Sequence, residues 1–351
     1  MGGKLKKINL RNIDHHSRSK IFIGENGGGK STLLRELSEF YISSNNFVLA
    51  ISNCLHDKFD ISSRKFKCMS VKHGENVYKM AVLGALGKIE NDNVRFVLGR
   101  ALDYCGYSDE IGLSLSSDKK YYPNASFREN ETYWIPINNN FPGMGYSNSS
   151  NQIVSFLKNS DNKNIVDVKI YLKDKCGDII PFGLISSGQA NKISTLAYLS
   201  SHMRDDLVIM IDEPENSLHP KWQREYIDDI FNVFYGASFS LVVATHSPLI
   251  INRDSEVYEV DNFKVKLKRE SSLNIEERLW YLFDVVTPEN EFLSRYLVHV
   301  LDSYRSNTIS MEDALSKLDD LSKACSDKRQ ENVIEDVKDV IRGYFVEFMD
   351  V

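Results

Sequence analysis

The stretch "GENGGGKST", Gly24 to Thr32, constrains this chain more than any other, because it lies between the apolar run "IFI" and the segment "LLRELSEF", whose apolar residues recur at helical spacing. Successive glycines let backbone N–H groups converge on an anion at the start of the following helix. The spacing Gly24-x4-Gly29-Lys30-Ser31 fits a loop that cradles phosphates, with Lys30 reaching the β- and γ-phosphates and the Ser31 hydroxyl placed for Mg2+. Gly24, Glu25, Asn26, Gly27, Gly28, Gly29, Lys30, Ser31 and Thr32 are therefore the candidate residues for a nucleoside triphosphate.

Such a loop needs a strand before it and a helix after it, and the rest of the chain supplies matching partners. "KLKKINL" and "KIFI" read as strands, and "NFVLAIS" reads as a buried strand. From Ser187 the pattern runs helix ("GQANKISTLAYLSSHM"), buried strand ("LVIMI"), helix ("PKWQREYIDDIFNVF"), buried strand ("FSLVVAT"). Apolar, β-branched strands alternating with helices predict an α/β fold with a mostly parallel core sheet covered on both faces. Residues 53–180 read as an inserted mixed α/β lobe, helical over 76–104, with strands at "ETYWIPI" and "VDVKIYL" and a mobile Asn/Ser/Gly/Pro-rich loop near 138–151. Residues 1–265 thus form a head. Residues 266–351 form a C-terminal helical segment, with a capping box from Ser310 to Asp313 and an apolar face of Val333, Ile334, Val337, Ile341, Tyr344, Phe345 and Phe348.

Composition narrows the setting. Lys+Arg 43 against Asp+Glu 49 gives a net charge of −6, so the chain as a whole is not a basic nucleic-acid coat. The five cysteines are odd in number, with no C-x-x-C, which argues for reduced thiols. No apolar run is long enough to cross a membrane, and the N-terminus lacks the apolar core of a signal peptide. The expectation is a cytoplasmic protein with no membrane partner.

A second part of the site follows in "LVIMIDEPE". Asp212 and Glu213 stand at the end of a buried strand, where a phosphate site needs carboxylates, Asp212 for the Mg2+ shell and Glu213 to orient and deprotonate the attacking water. "ISSGQA" opens a helix upstream, and "VVATHSP" puts His246 at the end of the next strand. Together with "DEPENSLHP", this order resembles the ABC class of ATPases, within it the RecF/SMC/OLD (AAA15-like) branch, and there the short phage-defence ATPases of the Septu or retron-associated kind. The resemblance covers residues 1–52 and about 180–255 and implies a P-loop ABC-type head that uses ATP and Mg2+. It implies a signature of Ser186, Ser187, Gly188 and Gln189 acting on the nucleotide of a second subunit, and a D-loop region of Asn216, Ser217, Leu218 and His219. It also implies that His246 contacts the γ-phosphate. One feature departs from the class pattern: "AISNCLHDKF" offers Asn53 and Asp57 where a Q-loop glutamine is expected, and Gln152 is the only glutamine between the glycine loop and the signature.

The resemblance implies a head-to-tail homodimer or higher oligomer that closes on ATP and opens on hydrolysis, working with a separate effector protein, a nuclease or a toxin. No nuclease site is recognised: after His246 only 105 residues remain, they read as helical, and the chain has no Asp-x-Asp. Two alternatives stay open, a RecF-like repair or replication ATPase with DNA or RNA as partner, and the ATPase subunit of a transporter. A nuclease or reverse transcriptase, replication genes, or a permease as gene neighbour would separate the three.

Overall fold

The computed structural model describes residues 8–74, 76–115, 131–137, 148–159, 168–268, 274–286, 291–325 and 328–343. Contacts divide the chain into two compact units, Met1–Leu267 and Lys268–Val351.

The first unit is α/β. Its strands and helices are, in chain order, β1 (Ser19–Ile23), α1 (Lys30–Ser43), β2 (Phe47–Ser52), β3 (Phe66–Ser70), α2 (Asn76–Leu86), α3 (Asp92–Tyr104), β4 (Tyr107–Leu115), β5 (Thr132–Pro136), α4 (Asn148–Asn159), β6 (Val168–Asp174), β7 (Ile179–Pro181), α5 (Ser187–His202), β8 (Leu207–Asp212), α6 (Pro220–Val233), β9 (Phe239–Ala244), β10 (Glu256–Asp261) and β11 (Lys264–Lys268). The central sheet has the order β11-β10-β1-β9-β8-β2-β3, and β10-β1-β9-β8-β2-β3 pair in parallel throughout. Phe22, Val48, Ala50, Val208, Met210, Val242 and Ala244 pack with Leu33, Leu34 and Leu37 of α1. Side chains alternate along a strand, and the intervening Ile21, Leu49, Ile209, Ile211 and Val243 are as deeply buried, so both faces are covered. This is why these strands are unbroken apolar runs.

A second sheet, β5-β4-β6-β7, is antiparallel. It holds the strands expected in the lobe, and the region expected to be helical over 76–104 is the pair α2 and α3. Four features differ from the sequence reading. The strand expected over 4–10 is not formed where residues are described: Leu10–Asn12 make a 3-10 turn, while 1–7 lie outside the described residues. β3 comes from the segment assigned to the lobe but pairs with β2 along its whole length. β10 and β11 had no counterpart in the reading. Of the loop expected near 138–151, residues 138–147 lie outside the described residues, and 148–151 begin α4.

The second unit contains α7 (Ile275–Phe283), α8 (Glu291–Arg305), α9 (Met311–Lys323) and α10 (Lys328–Arg342) around Trp280, Phe292, Leu297, Val300, Leu318, Leu321, Ile334 and Ile341. Ser310 caps α9, its side chain accepting from the Asp313 amide. The apolar face read from Val333 onward is narrower than its composition suggested: Ile334 and Ile341 are buried, whereas Val333 is exposed. Tyr344, Phe345 and Phe348 lie outside the described residues.

Candidate nucleotide site

The fully buried β1 delivers the chain into the glycine loop, and α1 begins at Lys30. Glu25, Asn26 and Gly27 are exposed at the tip of the loop. Gly24 has φ 147°, and a Cβ there would lie 2.2 Å from the Val260 carbonyl oxygen; one on Gly28 would lie 2.8 Å from the same atom. The loop is thus glycine-rich on its inner side because the end of β10, just before the turn into β11, presses on it. That turn is Asn262 and Phe263, both at positive φ, and the Phe263 amide donates to the Gly28 carbonyl at 3.0 Å. A short Asn-containing turn between alternating apolar residues, "EVDNFKVKL", was the available signal for this hairpin.

Lys30 lies almost fully buried across the loop. Its Nζ donates to the carbonyls of Gly24 at 2.8 Å and Glu25 at 3.1 Å, and it stands 2.6 Å from His246 Nε2. Burial lowers the ammonium pKa, while Asp212, Glu213 and Glu215 oppose that. Burial and the neighbouring Lys30 likewise lower the pKa of His246 and favour its neutral imidazole, while Glu213 opposes them.

Asp212 ends β8 between Ser52 of β2 and Ala244 of β9. It is completely buried, and burial pushes its carboxyl up to about 7, with the Ser31 hydroxyl as the main opposing influence. Ser31 faces the group without closing a bond of good geometry, so neither carboxylate oxygen has a hydrogen-bond partner. An orphaned, buried carboxylate beside a hydroxyl is a hard oxygen donor set that fits Mg2+, an ion usually held by one or two protein ligands together with substrate phosphates. No group of three or more His, Cys, Asp or Glu able to hold a metal occurs among the described residues.

Glu213 sits at φ 52°, a left-handed conformation that a glutamate rarely adopts, fixed by its amide donating to the Ala244 carbonyl at 2.9 Å. Its Oε2 accepts from Asn216 Nδ2 at 2.8 Å, and its Oε1 is 4.0 Å from His246 Nε2. Glu215, to which the sequence reading gave no role, accepts the His246 backbone N–H at 2.6 Å and so ties the loop after β8 to the histidine. Asn53 follows β2 directly, its amide donating to the Asp212 carbonyl at 3.1 Å. Its carboxamide is buried without a partner. Asn53 therefore occupies the edge of the site where a glutamine was expected, whereas Gln152 belongs to α4.

At the signature, Ser186 caps α5 and forms a full capping box with Gln189. Ser186 and Ser187 are exposed at the helix start. Gly188 and Gln189 face their own chain: a Cβ on Gly188 would lie 2.5 Å from the Ser217 carbonyl, and Gln189 Nε2 donates to the Cys105 carbonyl at 3.0 Å. Within the D-loop region Leu218 is buried, and His219 is the cap of α6, accepting from the Lys221 amide at 3.2 Å. The structure thus gathers Lys30, Ser31, Asp212, Glu213, His246 and Asn216 at one end of the sheet, while His219 serves a helix terminus.

All five cysteines are free thiols, and no helix among the described residues is long and apolar enough to cross a membrane.

The family model described as "AAA domain, putative AbiEii toxin, Type IV TA system" matches residues 92–252. That span contains Ser186–Gln189, Asp212, Glu213 and His246 and begins after the glycine loop. Among solved structures, the ADP conformation of an ATP-binding cassette of an ABC transporter is 13% identical, covering 76% of this chain and 85% of that one at a TM-score of 0.37. For cbiO1 from Clostridium perfringens, part of an ABC transporter complex, the values are 14% identity, 76% and 84% coverage, and a TM-score of 0.34. For the Smc head domain from Pyrococcus furiosus they are 13%, 36% and 31%, and 0.24. The similarity to an AAA domain over residues 92–252, with the glycine loop and the paired carboxylates at the end of a parallel sheet, supports a P-loop ATPase.

Proposed function

We propose that the chain binds ATP with Mg2+, hydrolyses it, and uses the cycle as a clamp or switch between two copies joined head to tail. The observation that carries this reading is the buried Asp212 carboxylate, with both oxygens unpartnered, facing Ser31 beside the glycine loop.

In this reading the loop N–H groups and Lys30 hold the phosphates, and Lys30 exchanges the carbonyls of Gly24 and Glu25 for phosphate oxygens. Ser31 and Asp212 would hold Mg2+, which when bound neutralises charge on the phosphates. Glu213, anchored through one oxygen, turns the other toward the attacking water and takes its proton as the water oxygen bonds to the γ-phosphorus and the bond to the ADP oxygen breaks. His246, favoured as a neutral imidazole, contacts the γ-phosphate. Ser186 and Ser187 face outward at the positive end of the α5 dipole, which supports their acting on the nucleotide of a second copy.

The description of the matching family, which names a putative toxin of a type IV toxin–antitoxin system, supports a setting in such a system, and we propose that the chain acts there in anti-phage defence with a separate effector, a nuclease or a toxin. Copurification from the native operon tests that part, and a permease or replication protein as the partner would replace it.

The clamp itself is tested with Glu213→Gln, which keeps the shape and removes the base. Its mass should double on adding ATP and Mg2+, and an ATP-independent monomer would argue against closure. Complementation tests the shared site: Lys30→Ala and Ser187→Asp should each be inactive alone. Random mixing with independent sites should restore about a quarter of the wild-type rate, since half the dimers are mixed and half their sites are whole. Ser187 is chosen over Gly188 because a side chain at Gly188 strikes its own Ser217.

A further inference from the structure

Asn216 is an exposed loop residue whose side-chain nitrogen and backbone carbonyl are both engaged. Its amide nitrogen has two hydrogens, and both are used: Nδ2 donates to Glu213 Oε2 at 2.8 Å and to the Asn53 carbonyl at 3.1 Å. Its own backbone carbonyl accepts from Asn191 Nδ2 at 3.2 Å. Asn191 lies in the second turn of α5, only 1% exposed, and its Oδ1 is fixed by the Thr195 hydroxyl at 3.1 Å. One turn earlier on the same helix, Gly188 abuts the Ser217 carbonyl so closely that no side chain fits between them. Asn216 and Ser217 are therefore held on one side by the start of α5 and on the other by Glu213 and the strand end at Asn53.

We infer that Asn216 is a positioning residue for Glu213, and that the Asn191–Asn216–Glu213 hydrogen-bond chain couples the start of α5 to the carboxylate that handles the attacking water. This rests on the reading of Glu213 as the base. An unrestrained glutamate at an exposed loop samples several rotamers, and only one directs its free oxygen into the site. Pinning Oε2 removes that freedom, so the gain is in orientation and appears in turnover. Because the anchor of Asn216 is a buried residue of α5, a displacement of the helix start by whatever docks on Ser186 and Ser187 reaches Glu213 through two hydrogen bonds and no solvent gap. Glu213 is set by its own chain's signature helix, in addition to any action of that helix on a second copy.

The test measures steady-state hydrolysis of MgATP by the full chain. Asn216→Ala should lower kcat about tenfold, the cost of one charge-assisted hydrogen bond, and leave KM for ATP within about twofold. Asn216→Asp, which removes the donor and sets a second carboxylate against Glu213, should lower kcat at least as much, and serves if the alanine variant unfolds. Asn191→Ala should lower kcat by a smaller factor, and the double variant should lose no more than Asn216→Ala alone, since both act through one chain. A merely structural role would instead lower melting temperature, and the two losses in rate would multiply. The inference is overturned if Asn216→Ala and Asn216→Asp retain wild-type kcat, or if the losses of the two positions multiply. Glu213→Gln assayed in parallel separates the levels: full turnover by that variant removes the base assignment and the inference with it, whereas its loss beside an unaffected Asn216→Ala removes the inference alone.

Discussion

The carboxyl ends of the central strands and the antiparallel sheet of the lobe are built on opposite rules. In the sheet of the lobe only the Ser108 hydroxyl, among the described residues, is a side-chain polar group buried without a partner. Lys173 bonds Glu110 at 2.7 Å across strands and lies over the Trp134 ring, and apolar residues such as Leu113, Ile135 and Leu172 alternate inward. At the ends of β2 and β8, buried polar atoms are left open: both oxygens of Asp212, one of Glu215 and the whole carboxamide of Asn53. Leaving such atoms unpaired costs free energy that folding alone would not spend. The contrast teaches that the first region is organised for stability and the second for a ligand, and it makes the sign of a mutation diagnostic.

Lys30→Ala should have the largest effect, on the order of a thousandfold loss of ATP affinity by calorimetry, because charge-assisted contacts to phosphate disappear. Melting temperature without nucleotide should change far less.

A pair of stability measurements tests the contrast directly. Leu113→Ala in the lobe empties a fully buried position and should destabilise by about 3 kcal/mol in denaturant. Asp212→Asn should act in the opposite direction, stabilising the metal-free protein at pH 8 by roughly 2 kcal/mol while abolishing hydrolysis. The sign follows from the raised pKa of about 7: the folded state holds this proton more tightly than the unfolded chain, so the penalty grows as pH rises from the ordinary carboxylate range to 7 and is complete above it. At pH 5 the gain should shrink. A destabilised Asp212→Asn at pH 8 would break the comparison.

The smallest expected effect lies at the far end of α5, where His202 is packed against Tyr198 and burial holds its imidazole down to about 4. Between pH 6.5 and 4 the unfolded chain takes up a proton that the folded one refuses, so stability falls as pH falls through that window. Replacing His202 with Phe should flatten this limb by about 1–2 kcal/mol relative to wild type, allowing for its partial exposure, as read from urea unfolding at several pH values.

The residues of the glycine loop, Asp212 with Glu213, and His246 were legible because each follows a recognisable strand or opens a helix, and spacing within a dozen residues carries the pattern. The apolar runs of β1, β2, β8 and β9 are buried on both faces, so their composition alone announced a covered parallel sheet. The edge strand β3, "FKCMS", was not legible. It is short, mixes lysine with apolar residues, and owes its place to pairing with β2.

By itself, then, the sequence determined the α/β class, the order of the phosphate-binding and acidic segments, and the start of α5 at its capping box, because these depend on local periodicity, backbone freedom and capping. Only the tertiary structure decided that Val260 and Phe263 would lean on the glycine loop, that Asn53 would stand beside Asp212, and that Asn216 would hold Glu213 to the helix of Asn191. The first two join distant residues and are set by how the strands line up side by side, and the third by where α5 packs against the loop after β8, neither of which local spacing encodes.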